Sequence, residues 1–420
     1  MNSKFDLAVM GLGYVGLPLV VEAARAGLRV YGFDVDGAKV ASLTAGVSYV
    51  EDISDADVAE ALAAGFVAGT DPESLGQAAA VIIAVPTPLR DHLPDLSAVR
   101  AAAGELASVL EPGQLVVLES TTYPGTTEEE LRPLLETGSG LSADIDFTLA
   151  YSPERIDPGN ETWGLRNTPK LVAGIDDRST DAAVELYSMI CDEVVPLSGT
   201  REAEMAKLLE NTYRHVNIAL VNELAIFCRD LGVDIWDVIR GAATKPFGFQ
   251  AFTPGPGVGG HCIPIDPGYL SYKVRQLGYQ FRLVELAQDI NNRMPAYVVE
   301  RITGLLNDAG RSVRGARVVV FGVAYKGGVG DTRESPAVFV VERLLALGAD
   351  VSYVDPYVDK VEIAGEIVPS LPYSPDAAAD ADIGVLLTLH PEFDVDAIAA
   401  AAPHFLDTRG VVAPGIGERL

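Results

Sequence analysis

A glycine-rich turn near the start of the chain constrains the fold more than any other feature. The segment GLGYVG, residues 11–16, follows a short apolar run and opens a helical pattern. Gly11 permits a tight turn, Gly13 lets a pyrophosphate approach the backbone, and Gly16 lets the helix pack closely on the strand. Asp34 ends the next apolar run, where a carboxylate can bind both ribose hydroxyls and repel a 2′-phosphate. These features predict a βαβ unit that binds NAD in preference to NADP; the alternative is a glycine turn that binds no nucleotide.

Composition limits the partners that such a chain can have. The 420 residues fit two or three domains. The 59 acidic and 31 basic residues give a net charge of -28, which disfavours nucleic acid and anionic membranes as partners. The N-terminal residues do not read as a signal peptide, and no apolar stretch is long enough to span a bilayer. The three cysteines lie far apart without a CxxC pattern, so we expect no metal site, no disulfide framework and a cytoplasmic location.

Apolar runs alternate with alanine-rich helical stretches through the first half of the chain. After the first run come Arg29–Asp34, Ala79–Val85, Gln114–Ser120, Ile145–Ala150, Leu171–Gly174 and Glu193–Leu197. This alternation predicts a parallel, doubly wound sheet.

The second half combines long helices with another α/β unit. Residues 201–231 contain no glycine or proline and predict one helix of about 45 Å, the kind that bridges domains or subunits. A segment rich in Gly, Pro and Phe, residues 245–267, follows, and helical sequence resumes near Gly268 and runs towards Leu306. A second alternation of strands and a helix then begins at Ala316. Its strands are expected at 317–322, 350–355, 383–388 and 405–407 and its helix at 336–347. It lacks a GxGxxG segment, so we assign it no dinucleotide.

Cys262 is the strongest candidate for a reactive side chain. It lies within the glycine- and proline-rich run of residues 255–267, with polar neighbours on both sides. Glycines let the backbone approach a ligand and leave the sulfur accessible, so a nucleophile is favoured over the buried hydrophobe that a free cysteine usually is. Cys191 and Cys228 lie in apolar patterns and are interpreted as packing residues.

Four further segments carry candidate catalytic groups. Residues 119–127 place hydroxyls after a predicted strand, although Thr126 or Thr127 could simply cap a helix. Glu154 follows another strand and is either a general base or an exposed loop acid.

Lys207 and Asn211 lie one helical turn apart and could together polarise an oxyanion, although a surface lysine is the simpler interpretation. His215 continues this face and is interpreted as a packing or interface residue. Asp266, four residues after Cys262, could orient water or tune the thiol.

Six motifs taken in order resemble the UDP-glucose/GDP-mannose dehydrogenase family, the NAD-dependent nucleotide-sugar 6-dehydrogenases. They cover essentially the whole chain and read GLGYVG, ESTTYPGTT, SPERIDPGN, EMAKLLENT, GGHCIPIDP and YKGGVGDTRES. The resemblance implies an α/β protein in which two Rossmann-like, doubly wound domains are joined by a long central helix that forms a homodimer interface. The expected domains are an NAD-binding domain at 1–198, a central helical region with the cysteine loop at 199–305, and a domain that binds the nucleotide of the sugar at 306–420.

The resemblance also implies roles for individual residues. The expected catalytic residues are Cys262 as nucleophile, Lys207 and Asn211 as oxyanion stabilisers, Asp266 and Thr121 for water and proton transfer, and Glu154 as the base for thioester hydrolysis. The expected cofactor residues are Gly11, Gly13, Tyr14, Val15, Gly16, Asp34, Pro86, Thr87, Ser120, Thr121 and Lys326. The expected substrate residues are Glu154, Arg155, Lys207, Asn211, Phe252, Gly257, Gly259, Lys326 and Arg333.

The expected reaction is a four-electron oxidation of the C-6 hydroxyl of a UDP-sugar, through a thiohemiacetal and a thioester on Cys262. The resemblance favours a UDP-N-acetylhexosamine, because the loop at 243–250 lacks the arginine typical of UDP-glucose dehydrogenases. Residues 156–160, IDPGN, favour UDP-N-acetylglucosamine, with UDP-N-acetylmannosamine or UDP-glucose as alternatives. Two other hypotheses are a two-electron dehydrogenase with a structural Cys262 and a non-catalytic NAD-binding sensor.

Overall fold

The computed structural model describes residues 4–90, 93–157, 159–160, 162–260, 263–413 and 415–420. The chain divides into two compact units. Unit 1 comprises residues 1–210 and 268–279, and unit 2 comprises residues 211–267 and 280–420. The predicted domains at 1–198, 199–305 and 306–420 stay a prediction, since a compact unit need not coincide with a functional domain.

The described residues of unit 1 form an eight-stranded sheet. Its strands are β1 (Phe5–Met10), β2 (Val30–Phe33), β3 (Val67–Gly69), β4 (Ala78–Ile83), β7 (Leu115–Leu118), β8 (Thr148–Tyr151), β9 (Lys170–Gly174) and β10 (Val194–Pro196). The order β10-β9-β8-β7-β4-β1-β2-β3 places β1 next to β4, so the chain winds outwards from the centre in both directions. A short hairpin joins β5 (Leu89–Arg90) to β6 (Leu93–Pro94).

One strand pair departs from the predicted parallel sheet. β9 runs antiparallel to β8, with Tyr151 opposite Ala173, whereas the other pairs of this sheet are parallel. No crossover helix lies in the described part of the chain between these two strands. A parallel neighbour is usually reached through a crossover helix, and without one β9 pairs in the opposite direction.

Helices cover the strands of unit 1. They are α1 (Gly16–Arg25), α2 (Gly37–Thr44), α3 (Asp55–Ala63), α4 (Ser97–Ala107), α5 (Arg132–Ser139) and α6 (Asp177–Ile190). The apolar faces of α1 and α6 pack with the buried strand residues into one hydrophobic core, with Leu17, Leu7 and Tyr187 fully buried. A single turn at Thr127–Leu131 precedes α5.

Four long or connecting helices follow: α7 (Thr200–Asp230), α8 (Ile235–Ala243), α9 (Asp266–Gln276) and α10 (Arg282–Asp308). The 31 residues of α7 confirm the predicted long helix. The continuous helical region expected between Gly268 and Leu306 is wrong in one respect, because α9 ends before Gly278, which has a φ of +81°. That left-handed conformation ends the helix. No helix in the described part of the chain is both long enough and apolar enough to cross a membrane.

Unit 2 contains a second doubly wound sheet. Its parallel strands are β11 (Arg317–Phe321), β12 (Asp350–Val354), β15 (Ile383–Leu386), β16 (Phe405–Asp407) and β17 (Glu418–Arg419), in the order β12-β11-β15-β16-β17. A hairpin of β13 (Lys360–Ile363) and β14 (Glu366–Pro369) and the helices α11 (Pro336–Ala346) and α12 (Val395–Ala401) accompany it. The predicted α/β class is confirmed.

The start of α1 packs against the glycine turn before it with almost no space between Gly16 and Gly11. A Cβ at Gly16 would lie 1.8 Å from the carbonyl oxygen of Gly11, whereas a Cβ at Gly13 would meet nothing within 4 Å. We expect Gly16→Ala to lower the free energy of unfolding by about 1–3 kcal/mol, because backbone must move to accept the methyl group. Gly13→Ala is the matched control and should change stability by less than about 0.5 kcal/mol. Chemical denaturation of the two variants measures this, and equal stabilities would contradict the close contact.

Candidate active site

The glycine-rich turn presents open backbone at the carboxyl end of β1. Gly11 has a φ of +94°, and a Cβ there would lie 2.6 Å from the carbonyl oxygen of Ala84, so only glycine fits. The space around Gly13 is open. Helix α1 starts without a side-chain cap at Val15, and a helix N-terminus attracts anions. A cradle of this kind fits the pyrophosphate of a dinucleotide.

Asp34 joins the end of β2 to this turn. Its Oδ2 accepts a hydrogen bond of 2.9 Å from the backbone N–H of Leu12, and its Oδ1 accepts one of 2.9 Å from the N–H of Asp36. The Lys39 ammonium lies 3.5 Å from Oδ2. The carboxylate is therefore fixed beside the turn, and its predicted ribose contact would add to these bonds.

Six other predicted cofactor residues lie at this carboxyl edge of the unit 1 sheet. They are Tyr14, Val15, Pro86, Thr87, Ser120 and Thr121. The Ser120 hydroxyl donates a bond of 2.7 Å to the carbonyl of Val85, which ties the ends of β7 and β4 together. The Tyr269 hydroxyl, on α9, donates one of 2.5 Å to the carbonyl of Thr87. The structure thus collects these residues at one edge, and their contacts with the cofactor stay predictions.

The segment after β7 is held by a buried glutamate on α7. Glu204 accepts hydrogen bonds from the N–H of Gly125 at 2.5 Å and from the N–H and hydroxyl of Thr127 at 2.9 and 2.8 Å. Burial raises the pKa of the Glu204 carboxyl to about 7, against the lowering effect of these bonds. The alternative that Thr126 or Thr127 caps a helix is wrong, because the Thr126 hydroxyl donates to the carbonyl of Tyr123 and that of Thr127 donates to Glu204.

Glu154 is buried, so its interpretation as an exposed loop acid is wrong. Glu154 is only 8% exposed. Its Oε1 accepts hydrogen bonds of 2.6 Å from the backbone N–H groups of both Arg155 and Ile156. Oε2 lies 3.4 Å from the ammonium of Lys170. Burial alone would raise the pKa of Glu154, but the charges of Lys170 and Lys207 and these hydrogen bonds hold it below its ordinary range.

The neighbouring Arg155 is occupied by other partners in this structure. Its guanidinium pairs with the Glu210 carboxylate through bonds of 2.7 and 3.2 Å and donates one of 2.6 Å to the carbonyl of Pro169. These contacts fix the loop after β8. The predicted contact of Arg155 with substrate stays a prediction.

The two predicted oxyanion residues lie on α7, Lys207 in unit 1 and Asn211 in unit 2. Lys207 is only 6% exposed, so the interpretation as a surface lysine is wrong. Asn211 Nδ2 donates a bond of 2.6 Å to Oδ2 of Asp266, which is 2% exposed at the start of α9. The structure thus brings together two residues of unit 2 that the sequence assigned to the same reaction.

The loop before the candidate nucleophile is held by a chain of buried amides in unit 2. The N–H of Gly255 donates 2.9 Å to Oδ1 of Asn222, and Nδ2 of Asn222 donates 2.9 Å to Oδ1 of Asn291. Asn291 in turn donates to the carbonyl of His215. His215 is fully buried, and burial lowers the pKa of its imidazole to about 4, so at neutral pH it is a neutral packing residue on this helix.

The same loop packs tightly against Pro336 at the start of α11, also in unit 2. A Cβ at Gly259 would lie 2.7 Å from Pro336 Cδ, and one at Gly257 would lie 3.2 Å from the same ring. Phe252 contacts Tyr213 edge to face, with ring centroids 5.7 Å apart. Cys262, the predicted nucleophile, lies outside the described residues.

Two predicted residues follow β11 at the carboxyl edge of the unit 2 sheet. Lys326 is half-buried. Arg333 pairs with the Asp331 carboxylate, with Nη2 2.6 Å from Oδ2, and its carbonyl accepts a bond of 3.3 Å from the N–H of Gly260. Their predicted contacts with a nucleotide sugar stay predictions.

Three charged residues that the sequence analysis gave no role also lie at or near these strand ends. Lys170 and Glu119 are buried beside Glu154. Arg409 follows β16 in unit 2, donates 2.6 Å to the carbonyl of Leu387 and lies against Gly255, where a Cβ would be 3.1 Å from Nη1. Burial lowers the pKa of this guanidinium to about 10. A charged residue inside or directly after a buried strand is the sequence signal that identifies such positions.

The buried carboxyl of Glu204 predicts a dependence of stability on pH. Its pKa of about 7 lies above the ordinary 4.5, so the folded chain keeps a proton that the unfolded chain releases between these values. We expect the stability of the wild type relative to Glu204→Gln to fall as pH rises from about 4.5 to about 7, by up to ~3 kcal/mol at ~1.4 kcal/mol per pKa unit. Denaturation curves at pH 5 and 8 measure this, with the exposed Glu202→Gln as the control. A difference that grows with pH would mean that the hydrogen bonds outweigh burial.

Comparison with known proteins agrees with this arrangement along most of the chain. Residues 5–191 match the NAD binding domain of the UDP-glucose/GDP-mannose dehydrogenase family, residues 201–293 its central domain and residues 319–414 its UDP binding domain. The chain is 38% identical over 389 residues to UDP-N-acetyl-D-mannosamine dehydrogenase of Pyrococcus horikoshii, covering 92% of this chain and 90% of that protein. It is 36% identical over 393 residues to UDP-N-acetyl-D-glucosamine 6-dehydrogenase of Pseudomonas aeruginosa, covering 92% and 91%.

A solved structure shows the same fold over the same extent. The structure of UDP-D-ManNAc dehydrogenase from Pyrococcus horikoshii superposes with a TM-score of 0.89 at 34% identity and covers 98% of both chains. The family models together span far more than half of the sequence, and the glycine turn that they match as part of an NAD-binding domain is the cradle described above. This chain therefore belongs to the UDP-glucose/GDP-mannose dehydrogenase family.

Proposed function

We propose that this protein oxidises the C-6 hydroxyl of a UDP-N-acetylhexosamine to the carboxylate, with NAD as the hydride acceptor in both oxidation steps. The main support is Glu154, a buried carboxyl whose pKa is held below its ordinary range, in the unit that carries the NAD-binding domain. The match of residues 319–414 to a UDP binding domain supports the nucleotide part of the substrate. The relatives named for N-acetylmannosamine and N-acetylglucosamine sugars support the N-acetylhexosamine class.

The side chains supply groups suited to each stage of such a reaction. Lys207 provides a buried positive charge that stabilises the oxygen of the alcohol as its proton passes to water and a first hydride is lost from C-6, which leaves the aldehyde. The thiolate of Cys262 adds to the aldehyde carbon to form a thiohemiacetal, and loss of a second hydride leaves a thioester. Glu154 takes a proton from water, which attacks the thioester, and returns this proton to the departing sulfur, so that the carboxylic acid and the Cys262 thiol are released. Asn211 and Asp266, joined by their hydrogen bond, orient the water and the oxyanion.

Within this class we propose UDP-N-acetylglucosamine as the preferred substrate, on the sequence IDPGN at residues 156–160. UDP-N-acetylmannosamine is the alternative, and relatives named for each sugar have nearly equal identity to this chain. A cytoplasmic location stays a prediction from the cysteine pattern.

The number of NADH molecules formed per sugar tests the chemistry. We expect two NADH for each uronate released from a panel of UDP-glucose, UDP-N-acetylglucosamine and UDP-N-acetylmannosamine, with products identified by mass spectrometry. Cys262→Ala should abolish uronate formation, because no thioester forms. Cys228→Ala, a cysteine buried in an apolar cluster of unit 2, is the matched control and should keep the ratio of two. A ratio of one, or full uronate production by Cys262→Ala, would contradict the thioester route.

We also propose that two copies of the chain pair through α7. Along its unit 2 part the helix exposes Tyr213, Leu220 and Phe227, each at least 43% exposed and spaced seven residues apart. Side chains at this spacing form one apolar stripe, and a second copy of the same helix would bury it.

Sedimentation at micromolar concentration tests this pairing. We expect the wild type to sediment as a dimer and Leu220→Asp to sediment as a monomer, because a charge in the stripe opposes burial. Arg214→Asp, exposed on the same helix but off the stripe, should stay a dimer. A monomeric wild type, or a dimeric Leu220→Asp, would show that this face is not the interface.

A further inference from the structure

Glu154 belongs to a buried cluster of charged and polar side chains, and its neighbours in this cluster have no assigned role in the reaction. It draws on four elements: Glu119 directly after β7, Glu154 in the loop after β8, Lys170 at the start of β9 and Tyr187 on α6. Their exposed fractions are 1%, 8%, 4% and 0%. Charged side chains are almost never buried to this degree without partners, so the contacts within the cluster decide its properties.

The ammonium of Lys170 bridges the two carboxylates. It donates a short hydrogen bond to Oε1 of Glu119 and lies 3.4 Å from Oε2 of Glu154. The hydroxyl of Tyr187 donates a bond of 2.7 Å to Oε2 of Glu119, and the Lys170 nitrogen lies 5.2 Å from the centre of its ring. Both oxygens of Glu119 are therefore engaged, and Lys170 is held between two acids and an aromatic face.

The two acids differ in their surroundings. Glu154 receives two backbone N–H groups and the charge of Lys207 in addition to Lys170, which favours its ionised form. Burial raises the pKa of Glu119 above its ordinary range; Lys170 acts against this, whereas the nearby Glu154 carboxylate acts in the same direction through its charge and a hydrogen bond. Lys170 stays charged, because the attraction of both acids outweighs its burial. Among other nearby groups, burial raises the pKa of the Cys191 thiol to about 11, so it stays neutral, and the charge of Arg155 is taken up by Glu210.

We propose that Lys170 and Glu119 are positioning residues for Glu154: Lys170 holds the base in its ionised form and in a fixed orientation, and Glu119 sets how much of the Lys170 charge acts on it. This inference rests on the proposed function, because both residues act through Glu154. When Glu119 carries a proton, the full charge of Lys170 falls on Glu154 and weakens it as a base. When Glu119 is ionised, it shares that charge and Glu154 becomes more basic.

The consequence is that the rate of thioester hydrolysis rises with pH as Glu119 loses its proton. In the wild type, kcat should increase with pH in a range above the ordinary 4.5 of a glutamate carboxyl, where Glu119 loses its proton. In Glu119→Gln the side chain cannot titrate, so this rise should disappear while the KM values change by less than about twofold. A Glu119→Gln enzyme with the wild-type pH profile would overturn the role of Glu119.

Replacement of Lys170 by an uncharged residue tests whether its charge holds Glu154 ionised and in place. In Lys170→Met we expect steady-state kcat to fall roughly 10- to 100-fold, less than the ~10²–10⁴-fold attributed to a general base itself. Because only hydrolysis slows, NADH should appear in a burst of two per active site, and mass spectrometry should find the acyl group on Cys262. Lys170→Arg should restore turnover, because it keeps the charge. Lys360→Met, at an exposed lysine in unit 2, is the matched control.

The outcomes separate this inference from the proposed function. Wild-type turnover with two NADH per uronate establishes the function independently of either variant. A folded Lys170→Met enzyme with normal kcat and no burst would then overturn the positioning role alone. If Lys170→Met does not fold, the pH profile of Glu119→Gln decides, since this variant keeps the size and shape of the side chain.

Discussion

Parallel pairing of the central strands determines where polar side chains can gather in this protein. In unit 1, β1, β2, β4 and β7 all end at the same edge of the sheet, and each is followed by a residue with a candidate role. Backbone groups at this edge have no further strand partner, so they are free to bind a ligand or to hold a side chain. The glycine turn, Asp34, Ser120 and Glu119 share this edge for that reason.

The buried charges near Glu154 are costly to maintain. Removing two carboxylates and an ammonium from water carries a desolvation penalty that their mutual attraction repays only in part, so such a cluster is a weak source of stability. Apolar residues of similar size would pack in the same space. This cost is consistent with the proposal that Lys170 and Glu119 act on the charge and orientation of Glu154 rather than on folding.

Local signals in the sequence predicted much of the fold. The glycine turn, the alternation of runs and helices and the uninterrupted α7 depend on residues close together in the chain, and the structure has them nearly at the expected bounds. The reversal of β9 was missed because it follows from the absence of a crossover helix. The end of α9 was missed because Gly278 was read as part of a continuous helical pattern.

The candidate site was predictable to a smaller extent. Motifs predicted Glu154, Lys207, Asn211 and Asp266 as site residues, and the structure adds that all four are buried or half-buried. The partnership of Glu119 with Lys170 joins positions 51 residues apart, and no short pattern connects them. Arg409 lies even farther from Gly255 in the sequence, 154 positions away, and was given no role for the same reason.

The division into units has a consequence for synthesis on the ribosome. Unit 1 is discontinuous, because residues 268–279 belong to it although residues 211–267 do not. This late segment supplies the Tyr269 hydroxyl that bonds to the Thr87 carbonyl and the Lys273 ammonium that pairs with Glu129 at 2.7 Å. The nascent chain therefore cannot complete its first folded unit until residue 279 has left the exit tunnel, and truncation after α7 would yield an incomplete unit.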